Sequence, residues 1–230
     1  YTLWHTLSLH DALPICYDLA QIAAVAAAAG LGGEKEFLER AHDESLVRKM
    51  GIEAKSFEGY LFPETYFFPR NESPEQMIAA MVQRFRSVFT PQWRKRAEQI
   101  GLTVHETVTL ASIIEKETGV AEERPLIASV FHNRLAKGMR LESDPTVIYG
   151  IEAFDGNLTR KHLRTETAYN TYRIRGLPPG PIASPGRASL RAALYPAESQ
   201  YLYFVSKKNG THHFSATFKE HRAAVRKYQL

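Results

Sequence analysis

The stretch ASIIEKETG, residues 111–119, sets two glutamates one residue apart at the end of an apolar run. A carboxyl group beside isoleucines is poorly solvated. Its charged form is disfavoured and its pKa rises toward neutrality, which is what a general acid needs. The two glutamates cannot share that task. On a helix, residues i and i+2 point about 200° apart, so Glu115 and Glu117 face opposite ways. Ile113 and Ile114 lie one turn before Glu117, with Leu110 further back on the same stripe, whereas Ala111 and Ser112 precede Glu115. Glu117 therefore extends the more apolar face and is the candidate acid. Glu115 is expected to be structural, in an ion pair with a nearby arginine. Helix position alone leaves two alternatives: Glu117 as an exposed last-turn residue, and Glu115 as the acid.

Local signals indicate the elements that must position these groups. Thr103 opens a capping box, TVHE, ahead of the glutamate helix, and Gly119 is placed to end that helix. Ser73, with Pro74 and Gln76, predicts a helix running to about Phe89. Thr217 opens a third box, TFKE, and the last helix. A helix from Pro125 should stop at Gly138. Residues 19–31 are apolar but too short to cross a bilayer, where about 20 residues are needed, and read as a packed helix ended by Gly30, Gly32 and Gly33. Residues 34–50 are helical and charged. Residues 56–69 hold six aromatics and two prolines, so they must be irregular chain with buried rings. In SDPTVIYG, Asp144 is the expected helix cap. Asn209-Gly210 between strand-like runs predicts a hairpin. Helices first, then short strands and proline-rich loops, argue an α+β fold.

Composition sets outer bounds. The chain has 230 residues, 44% of them hydrophobic and 23% charged, which suffices for a sizeable core. A net charge of +4 is mildly basic, and no lysine or arginine run is dense enough to read as a nucleic-acid surface. One cysteine, Cys16, excludes an internal disulfide. The histidines show no HExxH spacing, and His212 and His213 fall in the expected hairpin as surface or packing residues. Residues 2–16 lack any periodicity and read as translated sequencing-adapter DNA, with the natural N-terminus lost. The expected divisions are 1–16, foreign or disordered; 17–55, a linker or subdomain remnant; and 56–230, the main domain.

Five segments occur in order: GYLFPETY, ASIIEKETG, ASVFHNRLAKGMRLESDPTVIYG, TAYNTYRIRGLPPGPIASPG and YLYFV. Together they resemble the YceG/MltG family of endolytic peptidoglycan transglycosylases, over about residues 34–230. The resemblance implies that the second glutamate of EKET, Glu117, is catalytic. It also implies a lost membrane span and a LysM-like subdomain, of which residues 17–50 would be the tail. Further implications are a place in the cell inner membrane with the catalytic domain outside the cytoplasm, and cooperation with peptidoglycan synthases.

Such an enzyme uses one carboxyl group, as acid and then as base. It cleaves the bond after N-acetylmuramic acid and leaves a 1,6-anhydro ring. No metal or cofactor is called for. Because the nucleophile is the sugar's own 6-hydroxyl, proximity supplies much of the rate. A glycan cleft needs amides, hydroxyls, aromatics and cations. The candidates are Asn133, Arg134, Arg140, Asp144, Thr146, Tyr149, Tyr169, Asn170, Thr171 and Tyr172. The loop 176–186 could form a rigid wall, and Glu64 could support the site from behind. The competing reading is a peptidoglycan-binding scaffold without catalysis.

Overall fold

Helix starts dominate the architecture, because a side chain that accepts an otherwise unpaired N–H fixes where a helix begins. In the computed structural model, residues 6–8, 16–69 and 71–230 are described. The three capping boxes expected at Ser73, Thr103 and Thr217 open α4 (Pro74–Val88), α6 (Val104–Glu117) and α11 (Phe218–Tyr228). Two more boxes have less usual chemistry. Asp18 with Gln21 opens α1 (Leu19–Ala28), and Thr159 with His162 opens α9 (Arg160–Arg164). The charged segment 34–50 is two helices, α2 (Glu34–Ala41) and α3 (Glu44–Lys49). Asp43 divides them by accepting from Ser45 and Leu46.

The remaining helices are α5 (Pro91–Gln99), α7 (Arg124–Ala136), α8 (Asp144–Tyr149) and α10 (Arg187–Leu194). Two antiparallel pairs complete the α+β fold: β1 (Thr6–Ser8) with β2 (Phe67–Pro69), and β3 (Tyr203–Ser206) with β4 (His212–Ser215). The second pair is the expected hairpin around Asn209-Gly210, where Gly210 has φ 85°. Among the described residues, no helix is long and apolar enough to cross a membrane.

α6 is the axis of the core. Its residues Thr107 to Glu115 are all buried. α10 packs most extensively against it, and α7, α8 and α5 cover other sides. The aromatic segment before α4 follows the expectation in its first part, where Phe57, Tyr60, Leu61 and Phe62 are buried in the core that runs from Leu19 to Leu194, but departs from it at its end, where Phe67–Pro69 form β2 and Phe67 is exposed. Glu64 does not support the candidate site; it pairs with Arg84. The proline-rich loop before α10 is fixed to α6 at two points. Ile182 N–H donates to Ser112 Oγ at 3.0 Å, and Gly186 N–H donates to Glu115 Oε2 at 2.8 Å.

Gly59 lets this loop close. It adopts φ 81°, and a Cβ there would stand 2.5 Å from Pro181 Cβ. Gly59→Ala should therefore combine left-handed strain with overpacking. The expected loss of stability is on the order of 3 kcal/mol, read from the urea midpoint at constant m-value.

Candidate functional site

Glu117 is the last residue of α6, because Thr118 turns to an extended conformation at φ −147° and ψ 138°. The carboxyl group thus emerges where the buried helix ends, at the negative end of its dipole, which opposes ionisation. It lines a cleft of about 240 Å³ together with Arg134, Leu141, Glu142, Asp144, Tyr172, Phe204 and His221. Ser143 Oγ donates to Glu117 Oε1 at 2.5 Å. Burial lifts the Glu117 pKa to about 7, with the charge of Asp144 adding to the rise and the Ser143 hydrogen bond and Arg134 opposing it. Glu117 keeps some exposure at the cleft rim even though its carboxyl group is packed about by protein.

Glu115 lies on the opposite side and is more deeply buried, at 3% exposure. Arg124 Nη2 donates to one of its oxygens at 2.9 Å and the Gly186 N–H to the other. This is the arginine pair expected from the sequence. The apolar-stripe argument needs amending, however. Ala111 and Ser112 are as buried as Ile113 and Ile114. What separates the two glutamates is pairing: Glu115 has a guanidinium and an amide, while Glu117 has one hydroxyl.

A run of three residues builds the wall facing Glu117. Glu142 pairs with Arg134 at 3.1 Å, Ser143 bonds to Glu117, and Asp144 Oδ1 accepts from Tyr172 Oη at 2.7 Å. Ser143, not Asp144, is the N-cap of α8, and Asp144 is its first residue. Ser143 is itself held: its N–H donates to Thr171 Oγ1 at 2.9 Å, and its carbonyl accepts from Thr146 Oγ1 at 2.7 Å. The opposite boundary comes from the C-terminal hairpin and helix. Phe204 sits on β3, and His221 on α11 stacks on Tyr203 with centroids 5.1 Å apart. Burial and Arg134 push the His221 pKa down, which favours neutral imidazole.

A second buried carboxyl also titrates high. Burial raises the Glu58 pKa to about 7. It lines a separate cavity of about 450 Å³ with His105, Tyr169 and Pro181. Its oxygens are taken by the N–H groups of Leu19 and Gly59 and by Tyr149 Oη. Glu58 ties α1 to α8; the lightly partnered acid is Glu117.

The sequence profile of the YceG-like family matches residues 9–227. The chain belongs to that family. It is 37% identical, over 92% of its length, to the endolytic murein transglycosylase of Bacillus subtilis, and 33% identical, over 71% of its length, to that of Streptococcus pneumoniae D39. The chain spans 62% of the first relative and 30% of the second. A crystal structure of a YceG-like protein from Listeria monocytogenes superposes with a TM-score of 0.83 at 37% identity, covering 94% of this chain and 74% of that one.

In this YceG-like chain the structure brings Arg134, Asp144 and Tyr172 to Glu117. The other sequence candidates lie elsewhere. Asn133 Nδ2 donates to the carbonyls of Ser199 and Tyr201, anchoring the approach to β3. Asn170 is buried and donates to the carbonyls of His162, Leu163 and Thr165. Thr146 and Thr171 bond each other at 2.8 Å behind Ser143. The Tyr149 and Tyr169 rings meet at a tilt, with centroids 4.8 Å apart, near Glu58, and Arg140 is exposed. Arg134 is only 7% exposed, and its donors serve the carbonyls of Leu202, Arg140 and Leu141 as well as Glu142. It braces the cleft more than it reaches into it. Ser143, Glu142, Phe204 and His221 were not anticipated.

Removing Glu115 while keeping Arg124 leaves a nearly buried cation without its counter-charge. Glu115→Gln should cost about 3 kcal/mol in chemical denaturation. Glu117→Gln should act oppositely. The folded pKa of Glu117 lies above its unfolded value, so the native state binds the extra proton. Its contribution to stability is complete below about pH 4.5 and is lost as pH rises through about 7. The thermal midpoint of Glu117→Gln, measured against the parent across that window, should therefore gain relative to the parent as pH increases.

Proposed function

We propose that this chain carries the catalytic domain of an endolytic murein transglycosylase, with Glu117 as its single acid and base. The observation that supports this most is a carboxyl group with pKa near 7 at the head of a cleft, bonded by one hydroxyl. Close to neutral pH a large share of Glu117 is protonated. Ser143 bonds Oε1, which leaves Oε2 to present the proton to the glycosidic oxygen following N-acetylmuramic acid.

As that proton transfers, the C1–O bond breaks and positive charge develops at C1 and the ring oxygen. Glu117 is now a carboxylate, and the Ser143 hydrogen bond stabilises that form. It then takes the proton of the sugar's own 6-hydroxyl, whose oxygen bonds to C1 and closes the anhydro ring. One proton leaves Glu117 and one returns, so the carboxyl group is regenerated without water. Tyr172 and Phe204 offer ring faces for the apolar sides of the sugars. The substrate is accordingly a peptidoglycan glycan strand, met outside the cytoplasm, with wall synthases as the natural suppliers.

Glu117→Gln keeps the shape but removes the transferable proton. Mass analysis of products from glycan strands should show 1,6-anhydro ends with the parent, and a rate at least ~1000-fold lower with the variant. Reducing ends bearing a free hemiacetal would instead identify a hydrolase. Binding without cleavage by the parent would identify a scaffold. The parent's rate should also decline as pH rises through about 7, because the acid form of Glu117 is what donates.

A further inference from the structure

The reaction just described leaves positive charge on the sugar ring for Glu117 alone to balance, yet the cleft contains two other carboxylates, Glu142 and Asp144. They are not equivalent. Glu142 is paired with Arg134 at 3.1 Å, so its charge is largely compensated. Asp144 has no cationic partner among the described residues. Its one hydrogen bond there is from Tyr172 Oη to Oδ1, at 2.7 Å, which fixes the side chain and leaves Oδ2 to the cleft. Although it begins a helix, Asp144 does not cap it, since no backbone N–H of α8 donates to a side chain at that end. Its neighbour Ser143 holds Glu117 directly, so the backbone that places the acid also places this carboxylate.

We infer that Asp144 is a second catalytic carboxylate, whose charge stabilises the oxocarbenium-like centre formed when Glu117 releases its proton. This deepens the transglycosylase reading and rests on it. No bond forms to Asp144. The new bond is between C1 and O6 of the same sugar, the broken bond is C1 to the leaving oxygen, and the proton cycles through Glu117. Asp144 stands on the exposed rim of the cleft and supplies negative charge, oriented by Tyr172, toward an acid that is itself packed about by protein. It also favours the protonated form of Glu117 before the step, which is the form that donates. The other groups facing Glu117 are the Ser143 hydroxyl, Arg134 on α7, Glu142, Tyr172 and, from α11, His221.

The test compares Asp144→Asn, Asp144→Glu and Tyr172→Phe in the full chain acting on uncrosslinked glycan strands, alongside direct titration of Glu117 by carbon NMR. Asp144→Asn keeps the shape and the acceptor for Tyr172 but removes the charge. It should lower kcat by about 100-fold or more, with KM changed less than ~3-fold. It should also move the Glu117 titration, and the falling limb of the rate profile, to lower pH. Asp144→Glu should recover part of kcat. Tyr172→Phe, which loosens Asp144 but spares its charge, should lower kcat by about 10-fold and leave the titration nearly in place.

An Asp144→Asn variant with unchanged kcat, or with a raised KM alone, overturns the inference and makes Asp144 a binding group. An unmoved Glu117 titration also overturns it, because that readout does not depend on turnover. A parent that yields no anhydro ends while its Glu117 titration still responds to Asp144→Asn would overturn the transglycosylase reading instead.

Discussion

A helix buried around nearly its whole circumference can offer a reactive group to solvent only at its ends. α6 is such a helix, with every residue from Thr107 to Glu115 withdrawn from water. Its exit at Thr118 therefore decides where chemistry is possible. A carboxyl group two residues earlier, on the buried stretch, needs a permanent partner, and Glu115 has two, the Arg124 guanidinium and the Gly186 amide. At the exit the requirement relaxes. One hydroxyl and partial access to the cleft suffice, and the weakly compensated carboxyl group keeps its proton to near-neutral pH. The same desolvation thus yields a structural ion at one position and a titrating acid two residues later.

Most of the surrounding polar residues brace the cleft, and of these only Arg134 also lines it. Thr146 and Thr171 clamp Ser143 from behind, and Asn170 ties together the turn after α9. Asn133 and Arg134 bind the carbonyls that lead the chain into β3. Amides and hydroxyls in this chain are spent chiefly on irregular backbone, which has no ladder of its own and must find partners elsewhere. The proline-rich loop is the clearest case: residues 181–186 are all buried, and side chains of α6 satisfy two of its N–H groups.

Short-range chemistry was the legible part of the sequence. Three capping boxes, the Asn209-Gly210 hairpin and the opposition of Glu115 to Glu117 depend on residues a few positions apart, and each appears in the structure as expected. Ser143 was passed over because its neighbour Asp144 carries a charge and resembles a cap. Only the approach of residue 143 to residue 117 reveals which of the two touches the acid. Phe204 and His221 gave no local signal, since their relevance depends on how the hairpin and α11 dock. The apolar stripe singled out Glu117 by an incomplete argument: the pattern shows one greasy face, whereas neighbouring helices bury the other face just as thoroughly.

The groove is assembled from both early and late parts of the chain. Glu117 and Ser143 come from its middle, whereas Phe204 and His221 come from its last thirty residues. During synthesis, then, the acid exists about a hundred residues before the groove around it can be completed. A C-terminally clipped polypeptide would carry the Glu117 carboxyl on a more open face, without the Phe204 and His221 side of the groove. The docking of the hairpin and α11 is thus what encloses Glu117 on that side.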